Sequence, residues 1–180
     1  MWTRARKHGI GFPSRRQSGS SPWNNFECAL PSMITLHPDF KDFIQLLNSY
    51  QVEYLLIGGY AAALHGHIRF TQDIDIWIFT SPENVEKVIL VLKDFGLPQA
   101  EELRDVLQKE LRVIGMGVPP VRIEVVTTIS GVIFEECYAN RLTVDIEGTL
   151  VNYISLIDLR KNKLASGRPK DLADLDALPE

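Results

Sequence analysis

The chain has 180 residues, a net charge of −4 and the composition of an ordinary soluble globular protein, which is one domain's worth of sequence with room for a real core. The negative balance excludes a broad electrostatic grip on nucleic acid. Two cysteines, Cys28 and Cys137, give neither a disulfide framework nor a zinc pattern, and no apolar run reaches the length of a membrane span. A reducing cytoplasm is the expected home.

Residues 1–32 stand apart. They carry Arg4, Arg6, Lys7, Arg15 and Arg16 against the single acid Glu27, a net charge of +4 that leaves −8 for residues 33–180. No apolar segment marks a secretory signal. The composition predicts a disordered basic extension over 1–32 before one folded domain over 33–180, with Met33 as a functional start. An organellar transit peptide and a basic tail that touches RNA are the alternatives.

The folded part begins with a helix over residues 39–50, where Phe40, Phe43, Ile44 and Leu47 recur at helical spacing. The apolar run 54–57 reads as a buried strand. Gly58 and Gly59 follow it, then a small-residue helix over 60–65. Paired glycines between strand and helix allow positive φ and close backbone approach, and the N–H groups of the helix start can hold an anion; a plain tight turn explains them equally well. His65 and His67 have no ligand pattern around them and read as loop histidines.

In 71–78 two acids alternate with apolar residues at strand period. Asp73 and Asp75 project to one face, ~7 Å apart along the strand, while Ile74, Ile76 and Ile78 project into a core. Such a pair can converge on hard cations, and Mg²⁺ is commonly held by one or two carboxylates with substrate phosphates. It can also be the wet face of a half-exposed strand. Arg69 and Thr71 share the parity of the aspartates if the strand begins early, which leaves Arg69 either a phosphate or a carboxylate partner.

Ser81, Pro82 and Glu83 open a helix whose buried stripe is Val85, Val88, Ile89 and Leu92, closed by Gly96. A short helix is expected over 101–108 with Leu103 and Leu107 apolar. A strand over 111–116, an interruption at 117–120 and a second strand over 121–129 read as a hairpin. In the second strand Arg122, Glu124 and Val126 share one face, and a solvent-facing Glu124 paired with Arg122 is the plain explanation of that acid. Residues 131–138 predict a turn and short helix, and 141–146 with 149–153 a further hairpin in which Asp145 is a surface acid. A helix over 155–165 has Leu156, Leu159 and Leu164 as its apolar set. Gly167 ends it, Pro169 can start another turn, and Lys163, Arg168 and Lys170 cluster at the junction, where a solvated basic helix end is the usual explanation and phosphate-facing bases are the alternative.

Taken together, the Gly-Gly after an apolar strand, the run Arg69-x-Thr71-x-Asp73-Ile74-Asp75, the segment Gly117 to Glu124 and the tail Lys163 to Asp171 resemble the DNA-polymerase-β-type nucleotidyltransferase superfamily. Within it the chain is most similar to small bacterial members of the AbiEii-type and minimal groups, over about residues 39–178. The resemblance implies an α/β fold with a small mixed, largely antiparallel sheet flanked by helices. It implies transfer of a nucleoside monophosphate from an NTP to an acceptor hydroxyl, with two Mg²⁺ ions held by Asp73, Asp75 and Glu124. Glu124 takes the place of a third carboxylate that is Asp in many relatives. Gly58 and Gly59 would cradle the phosphates, with Arg69 and Lys163 as further nucleotide contacts. Relatives of this size act on RNA or on a partner protein in toxin–antitoxin or phage-defence settings, or modify antibiotics such as aminoglycosides and lincosamides. So short a chain implies a partner chain, a homodimer or a macromolecular acceptor to complete the site. A non-catalytic nucleotide-binding protein is the reading from a different class.

Overall fold

A computed structural model describes residues 35–118 and 121–180. The basic extension expected over 1–32 lies outside the described residues, as do Pro119 and Pro120. Helix α1 (Pro38–Ser49) leads into strand β1 (Tyr54–Ile57) and helix α2 (Gly58–Leu64). Strand β2 (Asp73–Ile78) follows, then α3 (Pro82–Asp94), a 3₁₀ turn (Ala100–Leu103) and α4 (Arg104–Leu107). Strands β3 (Val113–Val118) and β4 (Val121–Val126) come next, then α5 (Phe134–Ala139), β5 (Leu142–Ile146), β6 (Thr149–Tyr153), α6 (Leu156–Ser166) and α7 (Pro169–Ala177).

The six strands form one mixed sheet in the order β3-β4-β2-β1-β6-β5. The pairs β1–β2, β3–β4 and β5–β6 are antiparallel, and β2–β4 and β1–β6 are parallel. β1 and β2 sit at the centre because their apolar residues are fully covered: Tyr54, Leu55, Leu56, Ile74 and Ile76 are buried outright. The unbroken apolar run of β1 is what a strand covered on both faces requires, whereas β2 alternates because one of its faces carries Asp73 and Asp75. Phe40, Phe43, Ile44 and Leu47 of α1 are buried in the same core as Val85, Val88, Ile89 and Leu92 of α3, as their spacing requires. Among the described residues no helix is long and apolar enough to cross a membrane.

Several boundaries move from the sequence reading. α2 begins at Gly58, so the two glycines form the helix's first turn instead of preceding it. β2 begins at Asp73, so strand parity does not extend back to Arg69 and Thr71. β3 runs through Gly117, and β4 leaves the sheet after Val126. In α6, Leu164 is 64% exposed and Lys163 is buried in its place. The reason is geometric: from Leu159, position 163 is four residues on and lies on the same helix face, whereas 164 has rotated away.

One buried polar side chain fastens this scaffold. The Asn84 side chain donates to the carbonyls of Glu53 at 3.0 Å and Phe79 at 2.8 Å, and accepts from the Glu53 N–H at 2.8 Å. It ties the start of α3 to the ends of β1 and β2. Asn84→Ala removes the partner of the Glu53 N–H and of the Phe79 carbonyl, while the Glu53 carbonyl keeps the Phe79 N–H at 3.1 Å, and a loss of about 2 kcal/mol is expected in a urea titration. A change under about 0.5 kcal/mol would show that water replaces the amide there.

Candidate active site

Sheet register builds the site. In the parallel β2–β4 pair, Asp73 stands beside Arg122 and Asp75 beside Glu124. Partners across a parallel ladder point to the same face, so Asp73, Asp75 and Glu124 share one side of the sheet while Ile74, Ile76, Ile123 and Val125 fill the core on the other. Ile57, the last residue of β1, pairs with Asp75 on its opposite flank. The chain turns there into α2, which brings Gly58 and Gly59 to the same place.

The glycines are required. Gly58 has φ +64°, and a Cβ on it would overlap the carboxylate of Asp75. A Cβ on Gly59 would lie 2.7 Å from the Thr71 hydroxyl oxygen. Gly58→Ala therefore combines backbone strain with a collision against Asp75, and a loss of about 1–3 kcal/mol together with a displaced carboxylate is expected. Thermal unfolding measures the first, and a crystal structure of the variant the second.

A cleft of about 520 Å³ opens on this face, and all seven residues singled out in the sequence line it: Gly58, Gly59, Arg69, Asp73, Asp75, Glu124 and Lys163. A larger hollow of about 680 Å³, between α1 and the β5–β6 hairpin, contains none of them. The cleft is acidic on the sheet side. Burial pushes the Asp75 carboxyl up to about 6, the negative charge of Glu124 adds to this and Asp73 contributes further, while Lys170 and Arg168 pull the other way. Asp73 Oδ1 is buried without a hydrogen-bond partner among the described residues. The Glu124 carboxylate is engaged by Arg122 at 3.0 Å. Among the described residues no three His, Cys, Asp or Glu side chains converge as a ligand set.

The opposite wall is the α6–α7 corner. Here the structure places Arg69 and Lys163 differently from a simple pair of phosphate contacts. Lys163 is 2% exposed, and its Nζ lies 2.6 Å from Asp174 and 3.3 Å from Asp171. Arg69 makes a two-pronged contact with Asp174, at 2.8 and 3.1 Å, and His67 Nε2 stands 3.2 Å from the same carboxylate. Asp171 also accepts from Ser166 at 2.6 Å and from Arg168 at 2.5 Å. Burial alone would raise both acids, but these hydrogen bonds outweigh it and hold both carboxyls below the usual range. The network pins α7 to the loop that enters β2. Arg168 and Lys170 remain exposed, and both line the cleft.

Asp171 and Asp174 were not singled out in the sequence, although they left a signal. They take inner, i and i+3, positions of α7, where apolar residues are the rule, and acids there demand buried partners. His65 keeps the structural loop role expected for it: it sits in the turn that follows α2, where Nε2 meets the Ile154 carbonyl at 2.9 Å.

Residues 34–178 match the family profile described as nucleotidyltransferase of unknown function (DUF6036). In three dimensions the chain is similar to a candidate nucleotidyltransferase from Thermotoga maritima solved by crystallography, with a TM-score of 0.53 at 15% identity, over 81% of this chain and 96% of that one. No curated protein matches the sequence.

Proposed function

The chain belongs to this nucleotidyltransferase family, and we propose that it moves a nucleoside monophosphate from an NTP to an acceptor hydroxyl and releases pyrophosphate. The observation that carries the reading is the β2–β4 register, which sets Asp75 beside Glu124 and gathers three carboxylates on the cleft face next to Gly58. The residues suit a hard dication. The donors are carboxylate oxygens, one of them is buried and unpartnered, and the crowded charge that raises Asp75 is of the sign a cation relieves. Asp73 and Asp75 would hold Mg²⁺ with Glu124 completing the set, and two ions fit the chemistry. Bound Mg²⁺ would neutralise phosphate charge and favour ionisation of the attacking hydroxyl.

The chain's own contribution is position. Gly58 and Gly59 admit the Asp75 carboxylate and the Thr71 side chain against the backbone, and the start of α2 that they form would cradle the phosphates. Arg168 and Lys170 bring positive charge to the facing wall, opposite the acids. Arg69 and Lys163 act in this reading by fixing that wall, through Asp174, at the distance the triphosphate needs. The acceptor is RNA or a protein in a toxin–antitoxin or phage-defence setting in the cytoplasm. A partner chain or a second copy of this one supplies the acceptor surface.

The ion pair that occupies Glu124 favours a second reading, a nucleotide-binding protein without transferase activity. Incubation with Mg²⁺ and each α-labelled NTP, offered total RNA, protein and an aminoglycoside as acceptors, separates the readings. Label on RNA or protein, absent with Asp73→Asn, is the expected result. Label on the aminoglycoside would move the acceptor to antibiotics. Nucleotide binding with no label transferred from any NTP would favour the non-catalytic reading.

A further inference from the structure

Among the described residues, Glu124 is the one acid of the three that has a charged partner. Arg122 Nη2 lies 3.0 Å from its Oε1, and the two side chains, two apart on β4, share one face of the sheet with 41% and 22% of their surface exposed; Glu124 lines the cleft and Arg122 lies outside its lining. The guanidinium reaches that place because the neighbouring strand makes room. Gly115 of β3 is the cross-strand partner of Glu124, and a Cβ there would lie 2.7 Å from Arg122 Nη2 and 3.0 Å from Nε. Gly115 has no turn to make and no positive φ to adopt; its missing side chain leaves a slot over the sheet in which the arginine lies flat. Three features therefore coincide: a third carboxylate, a cation held against it and a glycine that houses the cation.

We propose that Arg122 is a positioning residue that holds Glu124 in the metal-free cleft and competes with the dication for it, so that metal binding transfers Glu124 from the guanidinium to the metal. The inference rests on the reading of the cleft as a dication site. A planar guanidinium keeps a carboxylate in a fixed orientation, as a solvated glutamate would not be kept. The pair is half exposed, so it is weak enough to break under a dication's field and strong enough to spare the cleft a third free negative charge. Arg122 also stands beside Asp73 in the register, on the same face of the sheet as the three acids.

Mn²⁺ titration of the full chain, with free Mn²⁺ read by electron paramagnetic resonance, tests this without any assay of activity. Arg122→Met is expected to lower the Mn²⁺ Kd about fivefold, and Gly115→Ala to lower it about threefold by displacing the guanidinium while keeping its charge. In a Glu124→Gln background neither change should alter the Kd. Thermal unfolding without metal confirms that each variant is folded. An unchanged or weaker Kd in Arg122→Met overturns the proposal. A gain in Arg122→Met but not in Gly115→Ala, or one that persists with Glu124→Gln, also overturns it, because it assigns the effect to net charge alone. Mn²⁺ bound by the native chain and lost in Asp73→Asn establishes the dication site whichever way Arg122 behaves. No Mn²⁺ bound by any of these proteins overturns the site and the proposal together.

Discussion

Asp75→Asn is expected to lose nucleotidyl transfer by at least about 10²–10³-fold and yet to unfold at a higher temperature than the native chain at pH 7.5 without metal. The two effects share one cause. Asp75 is buried beside Glu124 and Asp73, and its carboxyl is raised to about 6. A raised carboxyl binds its proton more tightly in the folded state than in the unfolded chain, where the value is about 3.9. The native chain therefore carries no penalty below about pH 4, gains one as pH rises toward 6, and bears it in full above 6. Its size is on the order of 2–3 kcal/mol, or several degrees in Tm for a domain of this size. Replacing the carboxylate by an amide removes that charge penalty together with the oxygen donor that the proposed transfer calls for. The stability gain should vanish below about pH 4, and saturating Mg²⁺ should narrow it by stabilising only the native chain. A variant that is inactive and also less stable at every pH would assign Asp75 a structural role.

Lys163→Met is expected to cost about 3 kcal/mol in a urea titration, the largest loss of stability from one change in the cleft. Breaking a buried pair from one side leaves charge with no compensation, at a typical cost of about 3–5 kcal/mol. The lower end applies here because Asp174 keeps Arg69 and Asp171 keeps Arg168. A loss below about 1 kcal/mol would mean that those two arginines suffice and that Lys163 is free to serve a ligand. Transfer should fall as well, because the α6–α7 wall would no longer be held. The same variant thus reports whether the lysine acts through Asp171 and Asp174 or directly on phosphate.

The sheet and the acids were legible because strand period is strict. Once 71–78 alternates, Asp73 and Asp75 must share a face, and the same parity in β4 fixes Glu124 with Arg122. Whether β4 lies beside β2 is a tertiary fact that the alternation does not contain; the family resemblance supplied it. The α6–α7 corner was not legible for the same reason. Arg69 and Asp174 are 105 residues apart, and nothing local to either names the other. Lys163 was read as a solvated or phosphate-seeking base because lysine is rarely buried, and its partners are acids on the inner face of the next helix. Gly115 left no mark in the sequence either. Its role appears only when the guanidinium of Arg122 is seen lying in the space it leaves.

The central claim is that the cleft lined by Asp73, Asp75 and Glu124 takes an NTP with Mg²⁺. Thermal unfolding of the native chain and of Asp73→Asn, with Mg²⁺ and each of the four NTPs in turn, tests it most directly. At a ligand concentration 100 times its Kd, stabilisation by about 2.7 kcal/mol is predicted for the preferred NTP. It should require Mg²⁺ and disappear in Asp73→Asn. A shift that is the same in both proteins, or one indifferent to Mg²⁺, would contradict the account.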